Sequence, residues 1–410
     1  MKILLLNQAF HPDVVSTGQH ATDLALRLQA SGHDVTVVAS RYGYDDPDRA
    51  FPHCENWRGI SIHRISMLRL GKSSRWRRAL AFGSFFAGCL TRILLMPRFD
   101  LVIALTSPPL ISALAAALVS LKGGKFIFWV MDLNPDEAIA AGWLRPGSST
   151  ARLLQAMLQF SLNRSDRLIA LDPFMARRLV AKGVPEEKIA AIPPWSHDGT
   201  VSYDRAGRNA FRRQHGLAGK FVVMYSGNHS PCHPLGTLLE AARRLLDRGD
   251  IVFCFVGGGT EFRKIRDLAE THALPNVTCI PYQPIEKLSA SLSAADLHVV
   301  TMGDPFVGIV HPCKVYNIRS LGIPFLYIGP TPSHVTELSP AGQFRHGDVD
   351  GVRQFITAAA EAKPAWDANP HPAPGASNHS QEVLLEQMVE VIAGVFHQPE
   401  TELAANPANS

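Results

Sequence analysis

Short apolar runs alternate with helix-like segments along most of this chain, in two successive series, and that rhythm is the strongest constraint on its fold. Parallel strands are buried on both faces and need crossover connections, so a repeated strand-helix-strand pattern predicts parallel sheets with helices on both sides. The first series opens with a strand over Lys2–Asn7, a loop over Gln8–Gly18, a helix from about Gln19 to Ser31, a stop at Gly32-His33 and a strand over Asp34–Ala39. Further strands are expected at 60–66, 99–105, 125–130, 166–171 and 188–193, with a helix over Ser148–Asn163. Pro193-Pro194-Trp195 and the polar stretch Ser196–Gly219 then break the pattern and read as a linker. The second series places strands at 221–225, 251–256, 276–280, 297–300 and 325–328, and helices at 235–248, 260–273 and 285–294.

A length of 410 residues exceeds the roughly 250–300 at which a single core stops growing. The expected fold class is therefore α/β, with two facing Rossmann-like domains over 1–200 and 201–378 and a cleft between them. The segment Lys363–Asn378, rich in Pro, Ala and Asn, reads as an irregular connector. Residues 381–397 regain helical periodicity, and 398–410 read as a disordered tail. A net charge of +4 without an RNP, zinc-finger or helix-turn-helix pattern excludes nucleic acid as an expected partner. Six cysteines without CxxC spacing favour reduced thiols over a disulfide or zinc framework. The opening apolar run stops at Asn7, too short for a signal peptide or a span, so the chain is expected in the cytoplasm.

Several segments carry candidate chemistry. Val310-His311-Pro312-Cys313-Lys314-Val315-Tyr316-Asn317 puts a lysine and an amide at the start of a short helix that Gly322 and Pro324 end. A helix start beside a lysine is a natural phosphate seat. Val256-Gly257-Gly258-Gly259-Thr260 removes side chains between a buried strand and a helix, with Arg263 and Lys264 in the first turns. Lys264 suits a bound anion there, and a solvated helix face explains it almost as well. Tyr225-Ser226-Gly227-Asn228 follows the first strand of the second half. In the first half, Gly18 closes the first loop, and Met131-Asp132-Leu133-Asn134-Pro135-Asp136-Glu137 follows an apolar strand. Asp132 there is suited to orient sugar hydroxyls or move a proton, whereas Asp136 and Glu137 read as residues of a helix start. The region 69–96 joins Arg69, Lys72, Arg75, Arg77 and Arg78 to an apolar stretch, which fits either a membrane-interface helix or a buried helix with a basic entry. No histidine pair has the surroundings of a metal site, and no cofactor is expected.

In order and spacing these pieces resemble glycosyltransferase family four, of GT-B fold, and within it the bacterial polysaccharide and lipopolysaccharide transferases with an Asp-Leu-x-Pro segment. The resemblance covers about residues 1–330 and rests on Phe10-His11-Pro12 with Gly18, Leu28–Val38, Asp132-Leu133-Asn134-Pro135, Tyr225–Asn228, Val256–Gly259, Ala295-Asp296 and Pro312-Cys313-Lys314 before Gly322-Ile323-Pro324. It implies metal-free, retaining transfer of a hexosyl or N-acetylhexosaminyl group from a nucleotide-sugar donor, commonly a UDP-sugar, to a lipid-linked or saccharide acceptor. Asp132 would then act at the donor sugar and be the catalytic residue. Gly18 would adjoin the acceptor, and Asn228, Gly257, Gly258, Gly259, Lys264, Lys314 and Asn317 would bind the donor. The 381–397 helix would cross back to the first domain, and the enzyme would sit peripherally on the inner face of the cell membrane through 69–96. The pattern is broken where the family commonly carries a glutamate five residues before Gly-x-Pro: this chain has Asn317. A non-catalytic partner subunit and a sugar-nucleotide epimerase therefore remain as alternatives.

Overall fold

The computed structural model describes residues 1–13, 15–44, 48–68, 75–195, 201–368 and 380–396. The basic entry at 69–74, residues 196–200 of the expected linker, most of the connector and the tail at 397–410 lie outside the described residues, and the rest of the expected linker is instead built around the helix Arg205–Gln214, whose Arg208 and Arg212 are buried on Asp296. The first sheet has eight strands, β1 (Lys2–Leu6), β2 (Asp34–Ser40), β3 (Cys54–Trp57), β4 (Ile60–Ile65), β5 (Leu101–Ala104), β6 (Lys125–Trp129), β7 (Arg167–Ala170) and β8 (Ile189–Ala191). Their order is β3-β4-β2-β1-β5-β6-β7-β8, and only β3 runs antiparallel to its neighbour. Ile3, Leu4, Leu5 and Leu6 are all buried, as a central strand covered on both faces requires. β3 carries no apolar run and was not expected from the pattern. A two-residue turn makes it: Arg58 and Gly59 both have positive φ, 51° and 82°, the geometry that matches hairpin twist.

The second sheet follows with β9 (Phe221–Asn228), β10 (Ile251–Gly258), β11 (Val277–Ile280), β12 (Leu297–Thr301), β13 (Phe325–Ile328) and β14 (Gly342–Phe344), all parallel in the order β11-β10-β9-β12-β13-β14. β9 and β10 run past their apolar stretches because Gly227 pairs with Gly257 and Asn228 with Gly258. Gly257, at φ +136°, has the Gly227 carbonyl where a Cβ would stand, so the two strand ends touch through bare backbone. The helix Val349–Ala368 extends through residues 363–368, where an irregular connector was expected. Buried Val352, Ile356 and Ala359 anchor it, and a helix already nucleated by packing extends at little further cost through Ala360 and Ala362 toward that stretch.

Strand order reverses between β1 and β5 in one sheet and between β9 and β12 in the other, and α/β sheets bind ligands outside the carboxyl ends at such points. The two carboxyl edges face each other: Leu133 N, after β6, donates to Ile309 O, after β12, at 2.9 Å. One apolar core runs from the first sheet across this junction into Met302, Ile309, Val310, Val315 and Tyr316.

The helix Arg75–Leu95 buries Ala81, Phe85, Cys89 and Ile93, four residues apart on one face, and exposes Leu80, Leu90, Leu94 and Leu95. Among the described residues no helix is long and apolar enough to cross a membrane. The helix Gln381–Gly394 packs on the first-domain helix Ser16–Ala30, with Leu384, Leu385, Met388 and Ile392 buried in the shared core and Arg27 paired to Glu386 at 3.3 Å on the rim. Met388 is fully buried, so Met388→Ala is expected to destabilise the first domain by about 2–5 kcal/mol, read as a lower urea midpoint.

Candidate active site

The loops between the facing edges bring buried polar groups together. Asp172, after β7, caps the helix Pro173–Ala181 through Oδ1, which accepts from Met175 N at 2.7 Å. Its Oδ2 reaches across the junction to accept from His311 Nδ1 at 2.7 Å, and His311 Nε2 lies 2.8 Å from the Tyr316 hydroxyl. His334 stacks on His311 with ring centroids 3.8 Å apart and planes 14° apart. These three side chains bring an oxygen and two ring nitrogens within 4.8 Å of one another. Lone pairs of imidazoles lie in the ring plane, however, and parallel stacked rings do not aim theirs at one ion. The arrangement is a hydrogen-bonded clasp between domains. Burial alone would push the Asp172 carboxyl up, but the His311 hydrogen bond and the nearby histidine charges hold it at about 2.

Asp132 follows β6 directly, half-buried on the first-domain wall of the junction. Burial, then the charge of Glu137, pushes its carboxyl up to about 8, so this pair of carboxyl groups retains a proton at neutral pH. Glu137 belongs to the helix Asp136–Ala140, where it was expected to do no more than start the helix. It also accepts from Asn134 Nδ2 at 3.0 Å and faces Cys232 of the second domain at 3.6 Å. Asp136 is taken up by Lys182 at 2.7 Å.

Lys314 begins the helix Lys314–Ser320, whose seven residues make a poor dipole of their own. The side chain matters more than the helix. Lys314 Nζ lies 3.6 Å from the centre of the Tyr225 ring, is buried, and has no hydrogen-bond partner among the described residues. Gly227 stands beside it: a Cβ there would lie 3.1 Å from Nζ. Burial pushes the Lys314 ammonium down to about 7. Asn317 sits less than one turn further along, half-buried.

The remaining expected residues divide. Asn228 ends β9 beside Gly259, which caps the helix Thr260–Thr271 at φ +118°. Gly258 accepts from His229 N at 2.7 Å and packs against the Tyr282 ring. Lys264 does not turn toward the junction. It is 72% exposed and pairs with Glu261 at 2.8 Å, as the solvated-face alternative requires. Gly18 lies inside the helix Ser16–Ala30 rather than in the loop before it, pressed against Ala9. In the first-domain crevice Asn7 Oδ1, Gln8 Oε1, Thr106 Oγ1 and Trp129 Nε1 are buried without hydrogen-bond partners among the described residues. None was singled out from sequence; the signal for Asn7 and Gln8 was their place at the end of an apolar strand.

Comparisons with known proteins agree with this geometry. A family model described as a glycosyl transferase 4-like domain matches residues 17–195, and one described as glycosyl transferases group 1 matches 207–311. The two together account for well over half of the chain, which belongs to the glycosyltransferases of GT-B fold. It is 24% identical to the putative colanic acid biosynthesis glycosyl transferase WcaI of Escherichia coli, over 78% of this chain and 82% of that one. It is 23% identical to the probable glycosyltransferase WbjE of Pseudomonas aeruginosa, over 80% of each. The structure is similar to Anabaena Alr3699/HepE in complex with UDP and glucose, with a TM-score of 0.70 at 16% identity, covering 96% of this chain and 100% of that one.

Removing one partner of a buried hydrogen bond costs about 1–3 kcal/mol, and Asp172→Ala is expected to loosen the domain junction by that order. Because the Asp172 carboxyl is depressed to about 2, its contribution is complete above the unfolded value of about 4 and is lost as pH falls through 2. Acid unfolding of wild type and variant, followed by tryptophan fluorescence, checks both the loss and its pH window.

Proposed function

We propose that this glycosyltransferase moves a hexosyl or N-acetylhexosaminyl group from a UDP-sugar, with retained configuration, to a lipid-linked saccharide acceptor in surface polysaccharide assembly. The observation that carries the reading is Lys314 Nζ, a buried amine without a hydrogen-bond partner among the described residues, at the reversal point of the second sheet. A leaving nucleoside diphosphate develops negative charge, and a buried donor aimed at that charge stabilises it more than a solvated one. The colanic acid biosynthesis in the name of WcaI supports the polysaccharide context, and the UDP and glucose bound by HepE support the donor class.

In this reading the diphosphate lies along Gly257, Gly258, Gly259 and Asn228, with Asn317 offering its amide to a donor hydroxyl. Lys264, ion-paired in solvent, takes no part. Asp132 carries a proton at neutral pH and donates a hydrogen bond that orients the donor sugar. The acceptor enters by the first-domain crevice, past Gly18, where Asn7, Gln8 and Thr106 offer its hydroxyls oxygens without a hydrogen-bond partner among the described residues. The exposed leucines of the helix Arg75–Leu95 lie against the inner leaflet that carries a lipid-linked acceptor.

A panel of UDP- and GDP-sugars tests this by calorimetry and by transfer to extracted lipid-linked acceptors; absence of both binding and transfer sinks the reading. Lys314→Ala is expected to weaken UDP binding by about 1.5–3 kcal/mol, roughly ten- to a hundredfold. Asp132→Ala is expected to lower turnover by about a hundredfold through lost orientation, with UDP affinity kept. Asp132→Asn, which keeps a donor, retains more activity and loses the decline that wild type shows as pH rises through about 8.

A further inference from the structure

Lys314 shares its surroundings with groups that are basic but placed as if neutral. His229, after β9, is fully buried, with Nδ1 3.3 Å from Gly258 O and Nε2 without a partner among the described residues. His233 Nδ1 lies 2.8 Å from Thr301 O. His298, on β12, is fully buried with Nε2 3.0 Å from Leu292 O, and its Nδ1 and the Thr301 hydroxyl have no hydrogen-bond partner among the described residues. The other titratable groups around the seat are Tyr282 and Tyr225, Cys232 and Cys313, of which burial keeps the last three uncharged at neutral pH, while Asp132 and Glu137 stand on the first-domain wall beyond the two thiols. The acid of the nearest helix start, Glu261, is occupied by Lys264. Among the described residues no carboxylate pairs with Lys314. Four basic side chains thus converge on a dry site without a counter-ion, an arrangement that is costly while any of them is charged.

We propose that this seat takes up a diphosphate together with one proton, Lys314 being uncharged in the empty site and becoming charged as the anion enters, with His229 Nε2, in the tautomer that carries its proton there, as a second, neutral donor beside Lys314 Nζ. The inference rests on the reading of Lys314 as the donor's phosphate seat. The proton comes from solvent and ends on nitrogen; no bond to phosphorus is made or broken in the binding step. The directions of the individual groups agree: burial pushes Lys314 down to about 7, and burial and then the Lys314 charge push His229 to about 4 and His233 to about 3. An anion reverses both causes by supplying the missing counter-charge. Since the empty-site Lys314 value lies near 7 and the bound one above it, affinity is greatest below pH 7 and falls above it, by about tenfold per pH unit for each proton taken up.

Calorimetric titration of the full chain with UDP at pH 8, in HEPES and in Tris, counts protons from the difference in apparent enthalpy between the two buffers. At that pH a terminal phosphate with a pKa of about 6 has already lost its own proton. The expected result is uptake approaching one proton per UDP, with affinity falling about tenfold between pH 7.5 and 8.5. Lys314→Arg carries a permanent charge and should lose most of the uptake and the pH dependence. His229→Gln should weaken binding at every pH. Equal enthalpies in the two buffers, with UDP bound, overturn the inference and leave the donor reading standing. Failure of UDP to bind overturns both. Uptake unchanged in Lys314→Arg, with a melting curve that shows it folded, overturns the assignment to Lys314; the two-buffer comparison on the wild-type chain decides the point even where a variant does not fold.

Discussion

The two sheets meet edge to edge, and everything at the junction depends on that alignment being held. A main-chain hydrogen bond from Leu133 to Ile309 sets the distance between the loops after β6 and β12, and the Asp172–His311 bond sets their orientation. Neither would suffice in water. Both lie within an apolar core that continues from the first sheet into the second domain, where a hydrogen bond to a carboxylate is strong and an unpaired one is expensive. Asp132 and Lys314 inherit their positions from this framework, since one directly precedes Leu133 and the other follows His311 by three residues.

Much of the fold was legible because a parallel sheet writes itself as uninterrupted apolar runs. The strands at Lys2–Leu6, Lys125–Trp129 and Ile251–Gly258 are of that kind. What escaped lacked the signal: β3 is Cys-Glu-Asn-Trp, held by its turn, and β14 is three residues at an edge. The helix Ser112–Lys122 is so evenly apolar that it shows no amphipathic face to detect, being buried between the sheet and the helix Ser149–Arg164. Side-chain direction is harder to read than element type. Lys264 and Lys314 both fall in the first turns of helices after glycine-rich or proline-rich loops, and only packing tells them apart. One leans into solvent toward Glu261; the other is drawn across Gly227 onto Tyr225. The clasp of Asp172, His311 and His334 was invisible for a simpler reason, that its members lie far apart along the chain.

The glycines also acquire a more specific meaning. Gly257 and Gly259 are where the backbone of the neighbouring turn takes the place of a side chain, at the Gly227 and His229 carbonyls. They bring the ends of β9 and β10 together so that His229 is sealed beneath them. A sequence rich in glycine at this point therefore records how tightly the second domain's crevice floor is built, in addition to how closely a ligand can approach it.

The helix Gln381–Gly394 gives the first domain a consequence for its own biosynthesis. That domain is discontinuous: the surface of the helix Ser16–Ala30 is covered by residues that come after the whole second sheet. As the chain leaves the ribosome from its amino end, the first sheet emerges early, but the helix Ser16–Ala30 keeps an uncovered apolar face until Gln381–Gly394 has been added. The second domain, contiguous in sequence, has no such debt. Of the two, the one whose sheet comes earlier in sequence is thus the one completed later.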